Sequence, residues 1–132
     1  MLTGYIHGGY ILRVPIDPNP ESFLPLPPAT FHILMAVADQ DRHGYAIIHD
    51  VSDRTDGAVR LSAGTLYRSL QRMLDQGLIE EAGERPAPDE DDERRRYYRI
   101  TSLGRAVARA EAQRLTDLVR LARASGFAPK RV

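Results

Sequence analysis

The stretch from Arg60 to Leu74 carries the side chains best suited to binding chemistry. Its apolar residues recur three and four positions apart, which predicts one amphipathic helix. The apolar face consists of Leu66, Leu70, Met73 and Leu74. The polar face consists of Thr65, Arg68, Ser69 and Arg72. Arginine makes planar, bidentate contacts with phosphate and guanine, so this face fits a DNA major groove. The alternative is an ordinary amphipathic helix with a solvated face.

Residues at both ends of this helix are suited to capping it. Ser62 is expected to cap the N-terminus, because its hydroxyl can accept an N–H group of the first turn. Gly77 follows the last apolar position and is expected in the left-handed conformation. Ser62 and Gly64 then lie where free backbone N–H groups favour a phosphate oxygen. Tyr67 fits two roles equally, as a DNA contact through its hydroxyl and as a packing support through its ring.

Charge is segregated along the chain, although the formal net charge is +0. Residues 60–74 and 94–110 contain arginines and no acid, whereas residues 75–93 contain nine acids and one arginine. Such segregation creates local fields that the net value hides. A nucleic-acid partner therefore stays compatible with the neutral total.

Composition limits the remaining possibilities. The 132 residues fit one domain, and the chain contains no cysteine, which excludes thiolate metal sites and cysteine nucleophiles. No apolar run approaches the roughly 18 residues that cross a bilayer, and the N-terminus lacks the pattern of a secretory signal. We therefore predict a cytoplasmic protein without a membrane partner.

The predicted elements follow the order of a winged helix-turn-helix. Apolar periodicity predicts helices over residues 28–38 and 44–54, upstream of the Arg60–Leu74 helix. Residues 59–61 are expected to form a short strand. Residues 78–82 and 95–101 have strand character and enclose a polar loop, which predicts a β-hairpin. The fold class is therefore mainly α with a small β-hairpin, and the DNA-binding domain is predicted to span residues 26–101.

A long last helix is expected over residues 102–124, within a dimerisation segment that we place at 102–126, before a tail at 127–132. Thr101 is the expected N-cap, and Gly126 is expected to end the helix. The helix has an apolar stripe, formed by Leu115, Leu118, Val119 and Ala122. Since the hairpin already closes the small core, this stripe predicts a two-fold homodimer.

The first 25 residues are interpreted as an N-terminal arm. Apolar and β-branched residues between positions 5 and 16 indicate a short extended segment, and three prolines up to Pro20 prevent a helix there. A partly disordered tail is one interpretation. A strand that packs on a partner subunit is the other.

Several short motifs together resemble a known family. They are His43–Tyr45, Leu61–Tyr67, Gly77–Ile79, Arg94–Thr101 and Gly104–Arg105. In this order and spacing they are similar to PadR-type transcriptional regulators, in the short subclass with one C-terminal dimerisation helix. The resemblance covers residues 26–126. Ala63 departs from the proline that is frequent in the family, and Pro27 replaces the usual serine or threonine cap of the first helix.

This resemblance implies a function and its partners. The family fold is a winged helix-turn-helix homodimer that binds double-stranded DNA at a pseudo-palindromic operator, usually as a repressor. It places the recognition helix at residues 61–74 and the wing at residues 83–96. Related regulators respond to small molecules between the long helices or beside the first helix. Phe31, His32 and Leu115 are the candidate residues for such an effector site.

The predicted wing contains arginines next to a run of acids. Alternate side chains of a strand face the same side, so Arg94 and Arg96 point together and are the candidate phosphate contacts. Their alternative role is pairing with the acids at Asp89–Glu93. In that role, we expect the acids to weaken DNA binding until DNA or a ligand displaces them from the arginines.

Two other classes of function compete with this interpretation. A metal-dependent enzyme would use histidines and nearby acids as ligands: His32, His43, His49, Asp39 and Asp50. These residues lack a recognised ligand spacing, and we predict no catalytic residues, metal or cofactor. His43 is instead expected to cap and pack. The second rival is a winged-helix protein–protein adaptor without DNA binding.

Overall fold

The computed structural model describes residues 5–7, 10–12, 18–82 and 96–127 of the chain. Two short strands, β1 (Tyr5–His7) and β2 (Tyr10–Leu12), pair antiparallel with each other. A 3-10 turn at Pro20–Phe23 precedes α1 (Pro28–Ala36). The remaining elements are β3 (Arg42–His43), α2 (Gly44–Arg54), α3 (Ala63–Gln76), β4 (Ile79–Glu81), β5 (Tyr97–Ile100) and α4 (Ser102–Ala124).

The order of helices and the hairpin confirms the predicted winged helix-turn-helix with a long C-terminal helix. The bounds of α2 and α4 agree with the sequence prediction. The first helix stops at Ala36, before the predicted residue 38. Three predicted caps are also confirmed: Ser62 and Thr101 accept backbone N–H groups at the starts of α3 and α4, and Gly77 has φ 79° at the end of α3.

The second sheet has three strands in the order β3-β5-β4, all antiparallel. Tyr98 of β5 lies opposite Arg42 of β3, and Ile100 lies opposite Ile79 of β4. The prediction of a strand at residues 59–61 is wrong. There the Val59 N–H donates to the hydroxyl of Thr55 at 3.0 Å, so the chain leaves α2 through a capped turn and not along a ladder.

The core lies between α1, α2, α3, the sheet and the first half of α4. Its fully buried side chains include Ile33, Leu34, Ile47, Leu66, Leu70, Met73, Leu78, Ile79 and Val107. Gly104 lets α4 approach the sheet, because an added Cβ would lie 2.9 Å from Ile100 Cγ1 and would clash with the Leu78 carbonyl. The second half of α4 extends beyond this core.

The chain before α1 is partly packed, although residues 1–25 were interpreted as an arm. The 3-10 turn packs against α4, and Phe23 and Leu24 contact the core. The backbone N–H of Leu26 donates to the Glu111 carboxylate of α4 at 3.3 Å. The extended character predicted for the first residues agrees with the β1–β2 pairing. In the described part of the chain, no helix is long and apolar enough to cross a membrane.

Candidate nucleic-acid interface

Helix α3 separates an apolar face from a polar one. Leu66, Leu70 and Met73 are at most 1% exposed, because they pack against α1 and α2. The Ser62 hydroxyl accepts from the Thr65 N–H at 3.1 Å and so fixes the first turn. The buried leucines therefore fix the orientation of α3 about its axis, so the opposite face of the helix points away from the core.

The polar face of α3 forms one wall of a depression with a volume of 180 Å³. Four predicted contact residues line it: Thr65, Arg68, Ser69 and Arg72. The other wall is the start of α1, at Pro27 and Thr30. The structure thus brings the predicted arginines and hydroxyls together on one surface, and adds two residues that the sequence did not place at the DNA interface.

The charge of this face is not compensated within the described residues. Arg68 and Arg72 are exposed, and neither forms an ion pair there. Gly64 leaves room for Arg68, whose Nη1 atom would lie 3.4 Å from a Cβ at position 64. By contrast, Arg99 pairs with Asp41 at 3.1 Å, and this hydrogen bond raises the pKa of Arg99. The guanidinium groups of α3 are therefore available to an external anion.

Tyr67 lies on the flank of α3 that faces α2. Its ring and hydroxyl occupy the space beside Gly44, where any added Cβ would collide with them. Its side chain is half-buried against the core. The supporting role proposed for Tyr67 therefore has a contact in the structure, whereas its role as a DNA contact stays a prediction. Ser62 and Gly64 are exposed at the start of the same helix.

The described part of the wing consists of β4, β5 and Arg96. The Arg96 Nη1 atom lies 3.3 Å from a Glu81 carboxylate oxygen on the neighbouring strand. Arg94 and the acids Asp89–Glu93 lie outside the described residues, so their predicted roles stay predictions. Tyr98 is buried, and Tyr97 packs edge-on against His43 with ring centroids 5.4 Å apart. Tyr98 is therefore the tyrosine of the pair that packs on the core.

His43 acts as a cap of α2. Its Nδ1 atom accepts from the Ala46 N–H at 3.3 Å, and its ring contacts Tyr97. This confirms the expected structural role. Within the residues that the structure describes, no group of three or more His, Asp or Glu side chains is placed to hold a metal ion.

The predicted dimerisation stripe on α4 is exposed in the single chain. Leu115, Leu118 and Val119 are 37%, 48% and 37% exposed, and Ala122 is half-buried. Two further apolar side chains, Leu121 and Phe127, are 60% and 85% exposed near the end of the helix. Phe127 was missed in the sequence, although an aromatic directly after the terminating Gly126 is a readable signal.

The three candidate effector residues lie on two different helices, Phe31 and His32 on α1 and Leu115 on α4. Leu115 lines a groove of 310 Å³ together with Thr116, Val119 and Arg123, all on α4. Phe31 and His32 are half-buried on α1 and do not line that groove. A smaller depression of 140 Å³ lies between α1 and α4, and its lining includes Leu34, Met35, Arg105 and Arg109. The sequence did not indicate any of these four as an effector contact.

Comparisons with known proteins found one family match and a related transcriptional regulator. The sequence model of the "Transcriptional regulator PadR-like family" matches residues 33–110. A transcriptional regulator of Mycobacterium tuberculosis, Rv3488, is 35% identical over 89 residues, which cover 67% of this chain and 77% of that protein.

Solved structures share the fold at lower identity. A transcriptional regulator from Clostridium thermocellum superposes with a TM-score of 0.60 at 24% identity, covering 70% of this chain and 84% of that one. Bacillus subtilis PadR in complex with operator DNA gives a TM-score of 0.55 at 16% identity, covering 65% of this chain and 47% of that one. With the family match over more than half of its length, the chain belongs to the PadR-like family of transcriptional regulators.

Proposed function

We propose that the protein is a sequence-specific DNA-binding regulator that places α3 in the major groove. The observation that carries this proposal is the exposed face of Thr65, Arg68, Ser69 and Arg72, whose two arginines have no acidic partner in the described residues. Arg68 is assigned to a base edge, because it lies near the N-terminus of α3, where recognition helices contact bases. Ser62, Gly64 and Tyr67 are assigned to the flanking phosphates.

The family supports this assignment. Bacillus subtilis PadR was solved with operator DNA, and Rv3488 is named a transcriptional regulator. The wing arginines Arg94 and Arg96 complete the proposed contact with the backbone. For Arg96, this requires its ion pair with Glu81 to be exchanged for a contact with a phosphate.

We propose that the protein binds DNA as a homodimer formed by α4. The exposed stripe of Leu115, Leu118 and Val119 is the supporting observation, because large apolar side chains aligned on one helix face mark an interface. A two-fold arrangement would present two copies of α3 to a pseudo-palindromic operator. The protein would act in the cytoplasm, where it meets the chromosome.

We further propose that it is a repressor that a small molecule releases from DNA. The groove lined by Leu115, Thr116, Val119 and Arg123 supports this, since it lies on the proposed dimer face. A ligand held there would alter the angle between the α4 helices and hence the spacing of the two α3 helices. Such a change would move one recognition helix out of register with its half-site.

The proposal is tested by fluorescence anisotropy with a duplex from the upstream region of the protein's own gene. Wild-type protein should bind with an affinity that falls steeply with salt, because phosphate contacts release counterions. Arg68→Ala should weaken specific binding by about 1–3 kcal/mol and relax specificity at one base pair of each half-site.

The matched control is Arg105→Ala, which removes an arginine of α4 that donates to the Ala38 carbonyl at 2.7 Å and does not line the α3 face. It should leave sequence preference unchanged. Absence of DNA binding by the wild-type protein at low salt would contradict the proposal and favour the protein–protein adaptor.

A further inference from the structure

The start of α1 forms the second wall of the depression beside the α3 face. Pro27 is the N-cap of α1 and offers no side-chain acceptor, and the first helical hydrogen bond is donated by Phe31 to the Pro27 carbonyl. The N–H groups of Ala29 and Thr30 therefore lack an intrahelical acceptor. Free N–H groups and the helix dipole both favour an anion at this end.

Thr30 supplies an independent indication of a ligand. Thr30 as a whole is only 4% exposed, yet it lines the depression. Among the described residues its hydroxyl has no hydrogen-bond partner, whereas the hydroxyls of Thr55 and Thr116 each donate to the carbonyl four residues earlier. The hydroxyl oxygen is not among the buried polar atoms without a partner, so solvent reaches it on the side where Thr30 lines the depression, and a ligand there could accept its hydrogen bond.

The opposite wall provides positive charge and further donors. Arg72 and Arg68 line the depression with the hydroxyls of Thr65 and Ser69, and no carboxylate belongs to the lining. An anion in the depression would thus meet guanidinium groups on one side and N–H and O–H donors on the other. The two non-bridging oxygens of a phosphodiester each carry several lone pairs, so they can accept hydrogen bonds from donors on both helices.

We infer that this depression binds a phosphate of the DNA backbone, held between Thr30 of α1 and Arg72 of α3. The inference rests on the proposed function and divides the arginines of α3 between two tasks. Arg68 reads a base near the helix N-terminus, while Arg72, one turn further along, contacts the same phosphate as Thr30. The start of α1 thereby fixes how far α3 enters the groove, because a phosphate contact sets register without reading sequence.

A methylphosphonate scan tests this directly. The probe is a duplex that the wild-type protein selects from a random library, with single phosphates replaced in turn by neutral methylphosphonates. Each duplex is titrated with wild-type protein, with Thr30→Val and with Thr30→Ser. Valine keeps the shape of threonine and removes the hydroxyl, whereas serine keeps the hydroxyl.

One phosphate in each half-site should be coupled to Thr30. On the unmodified duplex, Thr30→Val should raise Kd about tenfold, as expected for a lost hydrogen bond to a charged group. On the duplex that is neutral at the coupled position, this difference should largely disappear. Thr30→Ser should behave as wild type, and so should Ser102→Ala, which removes an exposed hydroxyl at the start of α4. Arg72→Gln should couple to the same phosphate, and Arg68→Gln should not.

The opposite results are equally distinct. If Thr30→Val weakens all duplexes by one factor, its effect is general and the inference is overturned. If wild-type protein binds inorganic phosphate at Thr30 while no duplex position is coupled, the site belongs to a free anion and the inference is again overturned. If wild-type protein selects no duplex, the proposed function itself fails. Arg68-dependent binding that is insensitive to Thr30→Val would remove only this inference.

Discussion

Helices α3 and α4 are both amphipathic, but they expose opposite faces. α3 buries its leucines in its own chain, with Leu66 and Leu70 at most 1% exposed, and presents arginines and hydroxyls. The second half of α4 exposes its apolar residues, with Leu118 and Leu121 at 48% and 60%. Within the described residues, α3 therefore leaves the charge of its arginines uncompensated, whereas α4 leaves its apolar side chains uncovered.

Arginine has a different role in each helix. On α4, Arg114 and Arg120 each pair with an acid three residues earlier, Glu111 at 2.7 Å and Asp117 at 3.0 Å. These internal pairs compensate the charge around an apolar surface, as an interface with a like copy requires. On α3, Arg68 and Arg72 have no such acids, as contact with a polyanion requires. Arg114 and Arg120 thus have acidic partners within their own helix, whereas Arg68 and Arg72 have none.

The largest effect is expected from a charge placed in the α4 stripe. Leu118→Glu should convert the proposed dimer to a monomer, because it would remove two half-exposed leucines and place two carboxylates across the proposed two-fold axis. Together these changes cost more than about 5 kcal/mol of dimer stability. Sedimentation equilibrium measures the oligomeric state directly.

Ala124→Glu is the matched control for this substitution. It adds the same charge at an exposed position on the opposite face of α4 and should leave the dimer intact. Two results would contradict an interface on the apolar face of α4. One is a wild-type protein that is already monomeric, and the other is a Leu118→Glu dimer as stable as the wild-type dimer.

An intermediate effect is expected at Glu111, which ties α4 to the chain before α1. Glu111 is 3% exposed, and its carboxylate accepts from Arg114 Nη2 at 2.7 Å and from the Leu26 N–H at 3.3 Å. Glu111→Gln should lower the free energy of unfolding by about 1.5–3 kcal/mol at neutral pH, because hydrogen bonds to a charged group are lost.

The effect at Glu111 should depend on pH. The hydrogen bond from Arg114, and secondarily that from Leu26, lowers the pKa of Glu111 below its ordinary value of 4.5. A carboxyl whose pKa is lower in the folded state stabilises the fold above the unfolded value and loses this contribution as pH falls through the folded value. The stability difference between wild type and Glu111→Gln should be constant above pH 4.5 and close below it. Urea titrations across this range would refute the assignment if the difference were independent of pH.

The elements that sequence could predict are those whose signals are local. Periodicity and capping predicted α2, α3 and α4, since the caps Ser62, Gly77 and Thr101 act on neighbouring backbone groups. The polar face of α3 followed from the same periodicity. The third strand at Arg42–His43 could not be predicted, because two residues carry no period and their pairing depends on β5. Residues 59–61 looked like a strand, but the Thr55 hydroxyl takes the Val59 N–H instead.

The parts of the site that could not be predicted depend on distant contacts. Leu26 and Glu111 meet across 85 positions of the chain, and nothing near either residue indicates the other. Thr30 resembles any helical threonine until the fold places it opposite Arg72. Sequence thus identifies which helix faces carry charge or apolar residues, whereas the second wall of the depression requires the packing of α1 on α3.

The smallest effects on stability, and the sharpest test of the arginine comparison, are expected from Arg72→Gln and Arg120→Gln. Both arginines are exposed, so each substitution should change the free energy of unfolding by less than about 1 kcal/mol.

The effects of the two substitutions on DNA binding should differ. Arg72→Gln should reduce the slope of log K against log salt by about 0.9 for each half-site, because one phosphate contact is lost. Arg120→Gln should leave the slope unchanged, since Arg120 is paired with Asp117 on the protein-facing helix. Equal slopes for the two variants would show that pairing with an acid does not distinguish the arginines of α3 from those of α4.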